Sequence, residues 1–247
     1  SHALASEARK EGHDYLANQG EFISVSPEQP ERWFVTAGTD GKVIVWDLER
    51  GVSVREYPES GRTSIIALSP DQRQIVTGGP GNLALLGNLP NIIFEPASSI
   101  VEESEEMLPL SGHKDVVTAA CFTPDGRWIL TADKLGGLRV WVNPLKQAHE
   151  NPSASVFSMP VHSEEVTSIH VVDETVITTS KDYSIKIWNF SADSETHAIS
   201  LKMERRLKGT GEVIESSLSP NGQYFACVRQ SYEKTELENG DPESAKQ

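Results

Sequence analysis

Apolar residues are concentrated in short runs along most of this chain, and residues that favour tight turns separate the runs. The clearest run is Val43–Asp47, in which Val43 and Val45 share one face of a strand because successive side chains point to opposite faces. Asp40 and Gly41 precede this run, and both are common in tight turns. The pattern predicts an all-β chain of short antiparallel strands joined by hairpins.

The same arrangement recurs along the chain. A Thr lies ten residues before a Trp, an Asp lies six before it, and apolar residues lie one and three before it. The full arrangement occurs twice, as Thr36, Asp40 and Trp46 and as Thr178, Asp182 and Trp188. A copy at Trp141 keeps Thr131 but has Leu135 in the Asp position, and a copy centred on Leu86 keeps only the apolar residues. The centres are 40 (46 to 86), 55 (86 to 141) and 47 (141 to 188) residues apart. The last two spacings are longer than the repeats of about 40–45 residues that form four-stranded blades.

These repeats resemble those of the WD-repeat β-propeller family, which open on Gly-His and close on Trp-Asp. The first copy runs from Gly12-His13 to Trp46-Asp47, the third from Gly112-His113 to Trp141-Val142, and the fourth from Val161-His162 to Trp188-Asn189. The resemblance covers residues 12–228 and implies an all-β β-propeller of four-stranded WD-repeat blades, with about four and a half blades. Since the family usually has about seven blades, it also implies an incomplete ring, a fragment of a longer ring, or a ring that another chain completes.

In this family the recurrent polar residues are hydrogen-bonded to one another and tie the strands of one blade together. The resemblance assigns this structural role to His13, Thr36, Asp40 and Trp46 in the first repeat, to His113, Thr131 and Trp141 in the third, and to His162, Thr178, Asp182 and Trp188 in the fourth. The third set lacks its Asp, so we expect His113 to be held less firmly than His13, unless Asp133 reaches it. A catalytic triad would require an exposed nucleophile and an oxyanion donor, and no residue of the sequence marks either.

The resemblance implies partner contacts on the face where the Gly-His loops and the Asp turns converge. The exposed positions expected there are Tyr15, Thr39, Asp115, Lys134, Glu164 and Lys181. Tyr15 is the expected anchor, because an aromatic side chain provides a large contact area at low entropic cost. The alternative for each position is a solvated loop residue.

The 247 residues carry 36 acidic and 22 basic side chains, which leaves a net charge of −14. Nucleic acid is therefore not an expected partner, because affinity for phosphate depends on Lys and Arg. No apolar run reaches the roughly 18 residues of a membrane span, and no signal peptide begins the sequence, so we expect a cytoplasmic protein with no membrane partner. Cys121 and Cys227 are expected to be buried, reduced thiols. No His, Cys, Asp and Glu have metal-site spacing, so neither a metal nor a cofactor is expected.

The chain divides into an N-terminal segment at 1–11, the blades at 12–228, and an acidic tail at 229–247 that we expect to be disordered. Residues 89–110 form an acidic insertion within the blades, since 95–106 contain five Glu and no basic residue. The outer strand of the second blade is expected either at 91–94 or at 107–110.

The combined pattern favours a non-catalytic WD-repeat scaffold that mediates protein–protein interaction or complex assembly. Its expected partners are other proteins or peptides, with self-association or missing blades from the same or another chain covering the open ends. The hairpins and blade spacing also resemble propellers joined to bacterial protein kinases, so one alternative is the regulatory or sensor part of a larger signalling protein. Another is an enzymatic propeller, such as a hydrolase, with carboxylates or His residues at the mouth of the channel.

Overall fold

The fold is all-β. The computed structural model describes residues 17–24, 32–38, 40–57, 65–78, 80–90, 93, 107–144, 146–147, 150–219 and 222–231. In that part of the chain eighteen strands form four antiparallel sheets of four strands and a fifth sheet of two. The predicted fold class and four-stranded blades are therefore confirmed.

Each of the first two blades runs from an inner strand to an outer strand in chain order. The first blade consists of β1 (Ala17–Ile23), β2 (Trp33–Gly38), β3 (Val43–Asp47) and β4 (Val52–Tyr57). The second consists of β5 (Ile66–Leu68), β6 (Gln74–Gly78), β7 (Ala84–Asn88) and β8 (Leu108–Leu110), with a 3-10 turn at Pro80–Asn82.

The remaining blades follow the same order. The third consists of β9 (Val117–Phe122), β10 (Trp128–Asp133), β11 (Gly137–Val142) and β12 (Phe157–Pro160). The fourth consists of β13 (Val166–Val172), β14 (Thr175–Ser180), β15 (Ser184–Ala192) and β16 (Ile199–Lys208). The fifth has only β17 (Glu212–Leu218) and β18 (Phe225–Gln230).

The observed strands settle one open alternative and move two predicted boundaries. The outer strand of the second blade is β8, so the 107–110 candidate is the correct one and part of the proposed insertion belongs to the blade. The last strand ends at Gln230, two residues inside the proposed tail at 229–247. Residues 1–11, 95–106 and 232–247, which include the predicted N-terminal segment and most of the predicted insertion and tail, lie outside the described residues.

Neighbouring blades pack face to face through three apolar clusters. In each cluster the aliphatic face of one blade contacts the opposite face of the next blade. In the third and fourth blades, this opposite face carries the Trp. Leu130 and Val140 thus pack with Val176 and Trp188, and the other two clusters join the first blade to the second and the second to the third. Burying one indole removes about 150–250 Å² from water, which corresponds to about 4–6 kcal/mol. A sheet that is apolar on both faces is stable only when both are covered.

The two ends of the described array have partly exposed apolar faces. Phe22 of the first blade is 51% exposed and stacks on Phe34, with their ring centroids 4.8 Å apart. Tyr224 and Val228 of the fifth sheet are 74% and 54% exposed. In the described part of the chain β18 pairs only with β17, and no strand joins the fifth sheet to the first. The array is thus open, as the sequence predicted.

Candidate functional site

The third and fourth blades each contain a buried chain of four polar side chains. In the third, His113 Nδ1 lies 2.9 Å from Asp133 Oδ2, its Nε2 lies 2.6 Å from Thr131 Oγ1, and Trp141 Nε1 donates to the same oxygen at 2.8 Å. Because indole can only donate and an ionised carboxylate can only accept, Thr131 donates to Nε2 and Nδ1–H donates to Asp133. The chain is fully satisfied with a neutral His, so it stabilises the blade.

Asp133 occupies the place of the missing Asp in the third blade. It is the last residue of β10, two positions before Leu135 where the repeat pattern requires an Asp. Its Oδ1 also accepts hydrogen bonds from the backbone N–H groups of Leu135 and Gly137, at 3.0 and 2.9 Å. Desolvation opposes its ionisation, but the hydrogen bonds from His113 and the backbone lower its pKa. The expectation that His113 lacks an Asp partner is therefore wrong, and the alternative through Asp133 holds.

The fourth blade has the same chain with the Asp in the turn. His162 lies 2.9 Å from Asp182 and 2.8 Å from Thr178, and Trp188 donates to Thr178 at 2.9 Å. Desolvation lowers the pKa of His162 and so favours its neutral form. The pKa of Asp182 falls to about 2, because the hydrogen bonds from Ser184, His162 and the backbone outweigh desolvation.

The first blade shows part of this arrangement. Trp46 Nε1 donates to Thr36 Oγ1 at 2.8 Å, as in the other two blades, and Asp40 Oδ1 accepts from the backbone N–H of Lys42 at 3.1 Å. His13, the fourth predicted member, lies outside the described residues. Asp47, the Asp of the Trp-Asp pair, is fully buried and pairs with Arg32 at 3.0 Å. Desolvation works against its ionisation, yet the Arg32 hydrogen bond lowers its pKa.

The second blade has no indole, and side chains from elsewhere in the chain fill part of its space. Gly78 pairs with Ala84 as Ala37 pairs with Val43, so the residue equivalent to Trp46 is Gly87. The sequence-based centre at Leu86 is thus wrong by one residue. A Cβ on Gly87 would lie 2.9 Å from Met107 Cε and 3.6 Å from Tyr57 Cε1. These two side chains occupy space next to Gly87, where an indole would otherwise lie.

The turn of the third blade and the first loop of the fourth form one continuous surface. The backbone N–H groups of Val161 and His162 both donate to the carbonyl of Gly136, at 2.9 and 3.1 Å. Gly136 has a φ of 81°, and a Cβ there would lie 2.1 Å from the carbonyl oxygen of His162, so only glycine fits. Lys134 and Glu164 are both exposed on this surface.

Of the other predicted contact residues, two are only partly exposed and two lie outside the described residues. Asp115 is half-buried and accepts the N–H of Val116 at 2.7 Å. Lys181 forms an ion pair of 2.8 Å with Glu165, so its charge is partly neutralised within the blade. The two outside the described residues are Tyr15 and Thr39.

Two exposed apolar residues in these turns were not among the predicted contact residues. Leu135 is 58% exposed in the turn of the third blade, and Tyr183 is 41% exposed in the turn of the fourth with a φ of 67°. Turns usually have polar residues at such positions, so these two apolar residues could have been recognised as candidates from the sequence. We therefore add Leu135 and Tyr183 to Lys134 and Glu164 as candidate contact residues, and name these four the upper rim.

The inner strands of all five sheets line a central cavity of about 690 Å³. Glu21 and Glu215 lie on its wall, and desolvation raises the pKa of Glu21 to about 7. His170 Nε2 lies 2.9 Å from Ser216 Oγ, which links the fourth and fifth sheets. Cys121 also lines the cavity, where desolvation raises its pKa, but Cys227 is exposed, so the expectation of a buried thiol is wrong there.

Within the described ranges no three His, Cys, Asp or Glu side chains come together in a group that could hold a metal ion. His149, the nearest approach to a metal ligand in the sequence, lies outside those ranges. No helix in the described part of the chain has the length and apolarity needed to cross a membrane.

The family model of the WD domain, G-beta repeat, matches this chain three times. The matched residues are 9–47, 104–142 and 153–189. Each match ends on the residue after the Trp of the first, third or fourth blade. The second blade lies between these matches and is the one with Gly87 in the Trp position.

Similar proteins include subunits of larger complexes. The target of rapamycin complex subunit LST8 of Saccharomyces cerevisiae is 24% identical over 81% of this chain and 58% of its own length. The small ribosomal subunit protein RACK1 of Drosophila melanogaster is 22% identical over 70% of this chain and 51% of its own. The cilia- and flagella-associated protein 52 of Chlamydomonas reinhardtii is 30% identical over 49% of this chain and 18% of its own. The chain thus spans little more than half the length of the first two.

Proposed function

This chain belongs to the WD-repeat family, and on that premise we propose that it is a non-catalytic scaffold that mediates protein–protein interaction or complex assembly. LST8 and RACK1 support this proposal, because the name of each describes a part of a larger complex. Its partners are other proteins or peptides, and the upper rim is the surface that binds them.

The observation that supports the proposal most directly is the burial of the His–Asp pairs. The side chains of His113 and His162 are 0% exposed, and those of their Asp partners are 4% exposed. Thr131 and Thr178 are also fully buried, so a substrate could not reach these hydroxyl–imidazole pairs, as general acid–base catalysis by them would require. The same pairs hold the turns of the upper rim in place, which leaves rigid loops with varied exposed side chains.

The upper rim also has the chemistry of a binding surface. Lys134 and Glu164 provide opposite charges on loops that are joined by hydrogen bonds to Gly136. Leu135 and Tyr183 provide apolar area beside them, and Tyr is among the side chains that carry most of the binding energy at many interfaces. Such side chains can be changed without affecting the buried chains below them.

A double charge reversal tests this surface. Lys134→Glu combined with Glu164→Lys keeps the net charge, and we expect it to weaken capture of the native partner by at least about tenfold, or 1.4 kcal/mol. Arg127→Glu combined with Glu174→Lys is the matched control, because both residues are exposed in turns at the opposite ends of the strands. Both variants should keep the wild-type melting temperature.

The experiment separates the upper rim from other surfaces. Equal capture by the rim variant and the wild type would refute a partner site on the rim. Lost capture by a variant lacking residues 95–106, with the rim variant unaffected, would move the partner site to the acidic insertion.

A hydrolase is the second candidate, and the central cavity is the observation that favours it. Glu21 with its raised pKa and His170 beside Ser216 are groups that general acid–base catalysis can use. Ester or phosphoester turnover by the purified chain that is lost in both Glu21→Gln and His170→Ala, while both variants remain folded at the assay temperature, would favour this candidate over the scaffold.

A further inference from the structure

The outer strand of the fourth blade differs from the other outer strands. β16 has ten residues, whereas β4, β8 and β12 have six, three and four. Its last seven residues, 202–208, are all exposed. They include four basic residues and one acidic residue in a chain whose net charge is −14. We name Lys202, Arg205, Arg206 and Lys208 the basic edge.

The charges of the basic edge are not neutralised within the blade. None of its four side chains forms an ion pair with a described residue. Arg206 instead lies directly across from Lys186 of β15, and like charges at opposed positions destabilise a sheet. Desolvation lowers the pKa of Lys186; the charge of Asp182 raises it, and the nearby charge of Arg206 lowers it.

The first blade has different residues at the same pair of positions. The pair Ile44 and Glu56 of the first blade is equivalent to the pair Lys186 and Arg206 of the fourth. In both sheets the pair lies two residues before the Trp, and a bulge follows just before the Trp. Glu56 forms an ion pair of 3.4 Å with Lys42. The charge on β4 is thus neutralised within its own sheet, whereas the charge on β16 is not.

The basic edge is also a free edge of the sheet. β16 is the last strand in the order β13-β14-β15-β16, so one row of its backbone N–H and C=O groups faces away from the sheet. Arg205 is paired with Ile187 and Arg206 with Lys186, which places the two Arg side chains on opposite faces. A strand added to this edge has side chains on both faces, so both of its faces would meet basic residues.

We propose that β16 is a docking edge for an extended acidic segment of a partner protein, which adds to the fourth sheet as a further strand. This rests on the proposed scaffold function and names the chemistry of one partner. The backbone pairing supplies affinity, and carboxylates on both faces of the added strand pair with the basic edge. Charges on an edge strand can also serve only to prevent aggregation. That role alone does not require two like charges to face each other across β15 and β16.

A binding measurement with a labelled peptide tests the docking edge. The probe is a Glu- and Thr-rich peptide of about ten residues, the length of β16, followed by fluorescence anisotropy. We expect Arg205→Glu combined with Arg206→Glu to weaken binding by at least about tenfold. The matched control, Lys114→Glu combined with Arg127→Glu, makes the same change in charge at exposed positions of the third blade and should bind as the wild type does.

A second peptide tests strand pairing separately from charge. It has the same sequence with alternate backbone amides N-methylated, and we expect it to bind at least about tenfold more weakly, because N-methylation removes donors that a sheet edge requires. Equal binding of the two peptides would overturn strand addition. Equal weakening by the two charge-reversed variants would overturn the basic edge as the site.

Two further outcomes identify other occupants. Displacement of the peptide by a single-stranded RNA that itself binds more tightly would overturn a protein partner. Peptide binding that occurs only after removal of residues 95–106 would assign the edge to the acidic insertion of this chain. If the wild type binds no peptide but its partner capture still depends on Lys134 and Glu164, the docking edge fails and the scaffold function stands.

Discussion

The His side chains of the third and fourth blades have the same environment although the sequence around them differs. In both, the His and Asp are 20 residues apart, but the Asp lies two residues after the Thr in the third blade and four after it in the fourth. Asp133 reaches His113 from the end of a strand, and Asp182 reaches His162 from within a turn. Two local solutions therefore satisfy the same buried imidazole.

We expect His113→Ala and His162→Ala to destabilise the protein to a similar extent, by about 2–4 kcal/mol each. Each substitution removes one hydrogen-bond partner from a buried carboxylate and one from a buried hydroxyl. Urea denaturation measures both free energies of unfolding. A loss for His113→Ala of less than half that for His162→Ala would mean that Asp133 is the weaker partner after all.

Glu21 gives the protein a pH-dependent stability. Its pKa is raised from 4.5 to about 7 by desolvation, so the folded state binds more protons than the unfolded state between these values. The free energy of unfolding therefore falls as the pH rises through this window and stays low above it. We expect Glu21→Gln to be more stable than the wild type by about 1–3 kcal/mol at pH 8.

At pH 4 the two proteins should have the same stability, since Glu21 is protonated in both the folded and the unfolded state. Thermal unfolding across pH 4–8 provides the comparison. A constant difference between the variant and the wild type at all pH values would show that packing, and not ionisation, separates them.

At the scale of the element, the second blade keeps its strand register while losing its indole. Thr77 is equivalent to Thr36, but with Gly87 in the Trp position its hydroxyl donates to the carbonyl of Gly78 at 3.2 Å. Met107, just before β8, packs with the first two blades. A flexible thioether is suited to filling an irregular space, so the outer strand supplies the packing that the third strand lacks.

We expect Met107→Ala to destabilise the protein by about 1–3 kcal/mol, because it leaves a void beside Gly87. In that background Gly87→Val should recover part of the loss, since the new side chain enters the same space. Denaturant titration of the single and double variants tests the coupling. Additive effects of the two substitutions would show that the side chains do not share a cavity.

At the scale of the whole molecule, the described blades form an array with two uncovered apolar faces. From the first blade to the fourth, the aliphatic face of one blade covers the opposite face of the next. The outer face of the first blade carries Phe22 and Phe34, and the fifth sheet carries Tyr224 and Val228. Since the two faces are different surfaces, contact between copies would be of the head-to-tail kind.

We expect the 247-residue chain to self-associate at micromolar concentration, and Tyr224→Lys combined with Val228→Lys to weaken that association. The added charges oppose burial of the fifth sheet. Leu48→Lys combined with Val52→Lys is the control, because both residues are exposed at the turn between β3 and β4. Sedimentation velocity over a range of concentrations gives the answer. A compact monomer at every concentration, with no binding of an apolar dye, would contradict open faces.

Much of the fold could be predicted because strand formation and turn chemistry are local. Alternating apolar residues, Asp and Gly turns, and a repeated Thr and Trp located the strands of the third and fourth blades closely. The sequence left open whether Asp133 completes the buried chain of polar groups in the third blade, because that depends on the direction in which the end of β10 points. It placed the centre of the second blade at Leu86, although a centre at Gly87 keeps Thr77 ten residues before it and the apolar Ala84 and Leu86 three and one before it. With no Trp at either position, the backbone pairing selects Gly87.

The sequence by itself determined the class of fold, the number of blades and the identity of most buried polar residues, because each follows from residue types at short spacings. The tertiary structure decided everything that depends on neighbours distant in the chain. It brought Gly136 against His162 to join the upper rim, Met107 into the space beside Gly87, and Arg206 across from Lys186. Contacts of this kind arise only when separate strands pair and blades stack, so no pattern within a single repeat encodes them.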